Sequence, residues 1–519
     1  MLKNWNRKRN LGLWMVLALC FLALIGCAGN DETSTDKGTN EEDSNQKATL
    51  AFSWSPASLD PHGSDSWEVM RSGTAETLIK LNEELEPTTW LAKSWKQEND
   101  TTWLFQLQKN VSFHNGKVMD ATSVKDSLQR SIDKNPKAKD LLQIKSMEAV
   151  SDTELKIETT QPNAALIAHL ADPATIIVDV ATINDKDSYP AFTGAFKIKQ
   201  FNQDQSLIVE RYEDYWGEKA LLSEVTIKFI SDANTRLMAL QSGDVDGATD
   251  ISVDHIDVLE KNKKFEVLTA TSLRTHMLMY NMESSLFKEL ALRKVVDMLI
   301  PREEIVNSVM KGQGSVAHST FSPVLPFGKV ENKEETESVN QLMQQEGWKK
   351  NSEGMWEKEG KTFEATLLTF PQRPELTVMA EVIQNKLLAE GMKINIRQVE
   401  SIDDTLANED WDLSMYSMLT AHTGDPQYFL EIFYQSNSES NVSKYVSLSV
   451  DKMINQLSQT TDLEKRNQLA IQIQEEINKD IPQSFIVFPN TVFAVRDGLK
   501  GFVAHPIEYY YNHSQIDVE

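Results

Sequence analysis

His422 and Asp425 stand three apart in residues 411–433, WDLSMYSMLTAHTGDPQYFLEIF, where an apolar strand pattern runs into Asp-Pro and then a helix pattern. A strand end feeding a helix N-terminus offers free N–H groups and a partial positive charge, which suits an anionic ligand. An imidazole in such a loop is a donor for a borderline transition metal, or a hydrogen-bond partner for the loop itself. Asp425 can cap the helix or face the ligand. Tyr416 can stack on a ligand or fill the core, and Thr420 adds a hydroxyl between them. Arg274 and His276, two apart in the strand-like run VLTATSLRTHMLMYN (267–281), share one face. Arg71 lies in VMRSGTAETL (69–78), where its planar fork could clamp a carboxylate or sit as an exposed helix charge. Met277, Met279, Met415 and Met418 read as packing residues.

Other chemistries lack their motifs. No HExxH and no GxxxxGK[ST] occurs, and Gly312-Gln313-Gly314 is only a fragment of a dinucleotide fingerprint. The nine histidines are dispersed, with no metal-ligand spacing between neighbours. A transition metal takes about four to six donors, and no cluster in the sequence could supply them alone, so most would come from small organic ligands. A hydrolase built from scattered Ser, His and Asp stays open as a further alternative.

These residues need a large scaffold. The chain has 519 residues, 40% of them hydrophobic, and more than one domain is expected. Lys3, Arg7, Lys8 and Arg9 precede the uncharged run 11–26, which ends in Leu-Ile-Gly before Cys27. That is the build of a secretory leader over 1–26, too short for the roughly 20 residues that span a bilayer comfortably. Its ending resembles a bacterial lipobox, which implies an acyl anchor (diacylglycerol, with palmitate) on Cys27. Cys20 lies inside the leader, so no disulfide or thiolate metal site can form in the mature chain. Residues 28–47 contain no Val, Leu, Ile or aromatic side chain and read as a tether, 27–47 with the anchor. The formal charge of −25, more negative still without the leader, argues against nucleic acid as a partner. Beyond 48, the spacing predicts a helix over 67–78, a strand with Trp103, Phe105 and Leu107 on its apolar side, and a helix capped by Asp120. It also predicts a strand–helix–strand unit over 364–399 and a last long strand over 482–495. The class is α/β, mixed sheets flanked by helices.

Residues 91–130, LAKSWKQENDTTWLFQLQKNVSFHNGKVMDATSVKDSLQR, resemble the LAxSW…TWxFxLxxxVxFHxG signature of family 5 extracytoplasmic solute-binding proteins. Phe192–Lys197 is similar to the family's GTGxFK turn, with Phe192 at its first glycine, and Tyr215-Trp216-Gly217 and Ser242–Asp246 follow in family order. The resemblance implies a two-lobed periplasmic-binding-protein-like fold of type II. Lobe I would be 48–272 plus 483–519, with an extra subdomain about 87–183, and lobe II 273–482. It implies a monomeric lipoprotein on the extracytoplasmic face of the cell membrane, not an enzyme, without a resident cofactor. It would pass cargo to an ABC permease driven by a separate ATPase. Peptide-binding members place an acidic residue three before the Asp of Asp-Pro, and here that position is His422. The departure favours a nickel or cobalt chelate as cargo, with His422 as metal donor; oligopeptides or dipeptides are the alternative. In nickel-chelate members, Arg and Trp before the Ser-Asp-Thr-Glu-Leu strand face the ligand, whereas 133–140 here offers Lys134 and Lys137.

Overall fold

The strand Gln483–Arg496 ties the molecule together in a computed structural model that describes residues 46–185, 187–331 and 336–519. Its sequence, QSFIVFPNTVFAVR, is nearly continuous in apolar residues, as a strand covered on both faces requires, and almost all of it is buried. Residues 483–489 pair with Arg274–Tyr280 and Gly314–Val316, whereas 490–496 pair with Phe265–Thr271 and Gly247–Ala248. One 12-stranded mixed sheet therefore has two sections that share this strand. The chain crosses between them a second time at Ser272-Leu273, between the strands Phe265–Thr271 and Arg274–Tyr280.

In the first section Lys47–Phe52 runs parallel to Glu224–Phe229, followed outward by Ser206–Arg211 and Phe196–Asn202. In the second, Arg274–Tyr280 pairs antiparallel with Leu413–Leu419. Beyond it Glu364–Thr369 and Lys393–Gln398 run parallel, joined by the crossover helix Pro374–Ala389. Each section with its helices forms one lobe of a two-lobed α/β fold. A separate antiparallel sheet, in the order Ala92–Asn99, Thr102–Leu107, Glu154–Thr159, Ile144–Ser151, packs against the helix Ala121–Lys134. Phe105 and Leu107 face its core, with Trp103 beside them. The Asp120 carboxylate accepts from the Ser123 N–H at 2.8 Å, which fixes that helix start as its sequence implies.

Two expectations change. The helix foreseen over 67–78 is only Ser66–Arg71. Gly73 adopts φ +75, and a Cβ there would lie 2.6 Å from the Asn512 carbonyl oxygen. The Asn512 N–H donates to the Arg71 carbonyl and its side-chain amide to the Ser72 carbonyl, so the C-terminal segment takes carbonyls a longer helix would use. The first strand also starts before residue 48, since Lys47 opens it and the Gln46 amide donates to the Val518 carbonyl at 2.6 Å. The leader, Cys27 and the tether up to residue 45 lie outside the described residues. Among the described residues no helix is long and apolar enough to cross a membrane.

Candidate functional site

Buried charge collects in two groups where the sheet sections meet. The first is centred on Glu508. Arg274 donates to both of its carboxylate oxygens, from Nε at 3.1 Å and Nη2 at 3.0 Å. Arg71 donates from Nε to the Glu508 carbonyl at 2.6 Å, places Nη2 3.4 Å from the carboxylate, and gives Nη1 to Glu68 at 2.5 Å. Burial acts to raise the Glu508 pKa, but Arg274 and Arg373, with Arg71, outweigh it and hold the carboxyl down at about 2. His276 is placed by register: on the paired strands it stands opposite Ser417 and its Nδ1 lies 2.9 Å from the Ser417 hydroxyl. Burial, then the charges of Arg373 and Arg274, push its imidazole well below the usual range, so it is neutral.

Arg373 completes this group. It precedes the helix Pro374–Ala389 and lies within electrostatic reach of Arg274 and Glu508. Among the described residues its guanidinium has neither a hydrogen bond nor an ion pair. Burial and the neighbouring Arg274 charge press its pKa down, against the attraction of Glu508 and Glu375.

The second group is centred on Asp172, which is fully buried. Its Oδ2 lies 2.7 Å from Lys137 Nζ and 3.0 Å from His422 Nε2. The imidazole contact is within hydrogen-bond length although the ring is turned off the line of best alignment. Lys137 Nζ also sits 5.1 Å from the Trp67 ring centroid and 5.7 Å from that of Tyr428, a cation between two aromatic faces. Burial, and after it the Lys137 charge, lower the His422 pKa to about 4. Between the groups stands Tyr509, in edge-to-face contact with Trp67, its buried hydroxyl without a hydrogen-bond partner among the described residues.

The residues singled out from sequence divide accordingly. Arg71, Arg274 and His276 come together around Glu508, and Lys137 and His422 around Asp172. Arg71 is not an exposed helix charge, because its fork is already spent on Glu68 and Glu508. Asp425 accepts from the Gln427 N–H at 2.9 Å and pairs with Arg466 at 2.7 Å, so it holds the first N–H of the helix Gln427–Tyr434 from one residue before the N-cap Pro426 and anchors it. Tyr416 gives its hydroxyl to Asp403 at 2.8 Å, and Thr420 gives its own to the Thr320 carbonyl at 3.0 Å. Lys134 is exposed at the end of its helix. Asp172, Glu508, Tyr509 and Arg373 escape a reading of the sequence. A lone Glu in the apolar run IEYYY (507–511) is the one local sign that a buried partnered charge belongs there.

Among the described residues no group of three or more His, Cys, Asp or Glu side chains is placed to hold a metal ion. A crevice lined by Arg397, Glu400, Asp404 and Glu409 lies by the sheet's outer edge strand, three strands from Arg274–Tyr280, and its charges are solvated.

Residues 86–441 match the family described as bacterial extracellular solute-binding proteins, family 5 Middle. The nickel-binding protein NikA of Staphylococcus aureus (strain NCTC 8325 / PS 47) is 30% identical over 440 residues, 84% of this chain and 87% of that one. The oligopeptide-binding protein AppA of Bacillus subtilis (strain 168) is 25% identical over 541 residues, 98% of each chain. Among solved structures, NikA from Staphylococcus aureus in complex with Ni(L-His)2 has a TM-score of 0.80 at 28% identity, covering 91% of this chain and 100% of that one. A nickel ABC transporter protein from Bacillus halodurans has a TM-score of 0.75 at 33% identity, with the same coverage.

Proposed function

This chain belongs to the bacterial extracellular solute-binding proteins of family 5, the substrate-binding proteins of ABC importers, and we propose that its cargo is a nickel or cobalt chelate gripped between the two lobes. One observation carries the choice of cargo. The seam holds Arg373, whose guanidinium makes no hydrogen bond or ion pair among the described residues, together with two imidazoles kept neutral, His276 and His422. A chelate complements that set, since its carboxylates answer the cation and its metal accepts a neutral nitrogen. A peptide ammonium would need a carboxylate in return, and Asp172 is already neutralised by Lys137. The similarity to NikA supports the same reading. The lack of a protein-borne metal cluster among the described residues leaves most donors to small ligands brought with the metal.

Closure around the chelate stabilises the form in which both lobes touch it, and that form is handed to the permease. The lipid on Cys27 keeps the monomeric receptor on the extracytoplasmic face of the cell membrane. The alternative cargo, an oligopeptide, has its support in the similarity to AppA across nearly the whole chain. A hydrolytic role fits the seam poorly. Ser417 and His276 form a hydroxyl–imidazole pair, but Glu375 stands 3.7 Å from the ring, beyond hydrogen-bond length for the group that should orient a base.

Calorimetry separates the two cargoes. Nickel with excess L-histidine is expected to bind with measurable heat, and a mixed peptide library without metal is not. Tight peptide binding with silence toward nickel–histidine would reverse the assignment.

A further inference from the structure

Backbone from one lobe meets backbone from the other at Gly424. This residue adopts φ +72, and a Cβ built on it would clash with the Leu85 carbonyl oxygen and lie 3.6 Å from a Leu81 methyl carbon. Leu81 and Leu85 belong to the hairpin of strands Ile79–Leu81 and Pro87–Thr89 on the lobe I side, whereas Gly424 follows Leu413–Leu419 of the second section. The hairpin turn is tightly built: the Leu85 N–H donates to the Asn82 carbonyl at 3.0 Å and the Glu86 N–H to the Asn82 side chain at 2.8 Å. Leu85 itself is buried at φ +67, a conformation that suits glycine and persists in leucine only where its surroundings over-determine it.

Two further contacts cross the seam. The Ala164 N–H of the subdomain donates at 3.2 Å to the carbonyl of Ser458, on the helix Leu448–Gln459 of lobe II. Lys137 Nζ, 2.7 Å from Asp172 on its own side, lies 5.7 Å from the Tyr428 ring centroid on the other. All of these contacts run directly from lobe to lobe, so they favour the arrangement in which the lobes meet whatever the cargo. Gly424 is also close to the pivot. The Thr420 N–H, a few residues before it, donates at 3.0 Å to the carbonyl of Leu273, where the chain crosses between the sections. A small wedge near a pivot turns the lobes through a large angle.

We propose that the hairpin turn around Leu85 and the loop around Gly424 form a latch between the lobes, in which the side chain missing at 424 is the gap that lets the two backbones meet. The latch sets the fraction of receptor in the binding-competent form, and apparent affinity scales with that fraction. It rests on the two-lobed architecture and not on the chelate reading of the cargo.

Small-angle scattering from the full-length protein tests the latch. Wild type is expected to scatter with its lobes together. Gly424→Ala drives a methyl group toward the Leu85 carbonyl, and Tyr428→Leu takes the aromatic face from Lys137 while keeping the position apolar. Both variants should show a larger radius of gyration than wild type, Gly424→Ala the larger of the two. Affinity of Gly424→Ala for nickel with excess L-histidine should fall about 10-fold, through the smaller closed fraction. Wild-type scattering that requires the lobes apart overturns the latch, and it does so even if Gly424→Ala fails to fold. Folded variants with the radius of gyration of wild type overturn it as well, with the chelate reading intact. Wild-type protein that takes up no nickel–histidine removes the chelate reading alone, because the scattering comparison needs no cargo.

Discussion

Two buried carboxylates, Glu508 and Glu76, show how far partners outweigh burial in this molecule. Each is almost wholly removed from solvent. Glu76 accepts only from neutral donors, the Tyr215 hydroxyl at 2.7 Å and the Trp216 indole N–H at 2.9 Å. Burial therefore dominates and lifts its pKa from 4.5 to about 7. Glu508 is buried as deeply but faces Arg274, Arg373 and Arg71, and its pKa falls from 4.5 to about 2. The same side chain is thus a near-neutral structural acceptor in one place and a fixed anion in the other. Only the second sits where the lobes meet. The seam is a place where charge is kept, which suits it to a charged cargo.

The sharpest way to break this comparison is to remove the anion. Glu508→Gln leaves Arg274 and part of Arg71 buried without a counter-charge, and stability should drop by about 3–5 kcal/mol. Thermal unfolding would show it, and Arg274→Met in the same chain should recover part of the loss. A change below about 1 kcal/mol would mean that water reaches the cluster and screens it.

The pH dependence of the two sites runs in opposite directions. Glu508 binds its proton more weakly folded than unfolded, so its contribution is present above pH 4.5 and is lost as pH falls toward about 2. Glu76 binds its proton more tightly folded, so its own contribution falls as pH rises from 4.5 through about 7. A shift of that size corresponds to about 3 kcal/mol. Glu76→Gln removes this titration, so the stability difference between wild type and variant should change by about 3 kcal/mol, to the disadvantage of wild type, between pH 4.5 and 7. Parallel slopes for wild type and variant would show that Glu76 is ionised throughout that window.

What the sequence discloses follows the range of the interactions. Alternation in 102–107 and the cap at Asp120 are local, and both are read correctly from neighbouring residues. Arg274 and His276 are visible as a pair because strand geometry puts residues two apart on one face. That Ser417 faces His276 depends on the register of two strands far apart in the chain. The helix that stops at Arg71 is misjudged for a similar reason, since its end is set by Asn512 near the C-terminus. Asp172 and Glu508 are single carboxylates whose partners are brought to them only by the fold. Arg373 hides in plain view, because a residue before Pro374 reads simply as the lead-in to a helix.

Arg373 is also the mildest and most discriminating test of the comparison, because among the described residues it makes no hydrogen bond or ion pair, whereas Arg71 and Arg274 do. If its charge serves the receptor's own stability, Arg373→Met should cost several kcal/mol, as Glu508→Gln does. If it waits for a ligand, the ligand-free protein should keep its stability within about 1 kcal/mol, since no hydrogen bond or ion pair is lost and its repulsion by Arg274 offsets its attraction to Glu508. The loss would appear only in binding. A charge-assisted hydrogen bond to a chelate carboxylate contributes about 1.5–3 kcal/mol, so nickel–histidine affinity should weaken about 10- to 100-fold. Arg373→Lys should recover part of it, because a point charge replaces the planar fork. Unfolding and titration measured on the same preparation decide between a structural arginine and one held in reserve for cargo.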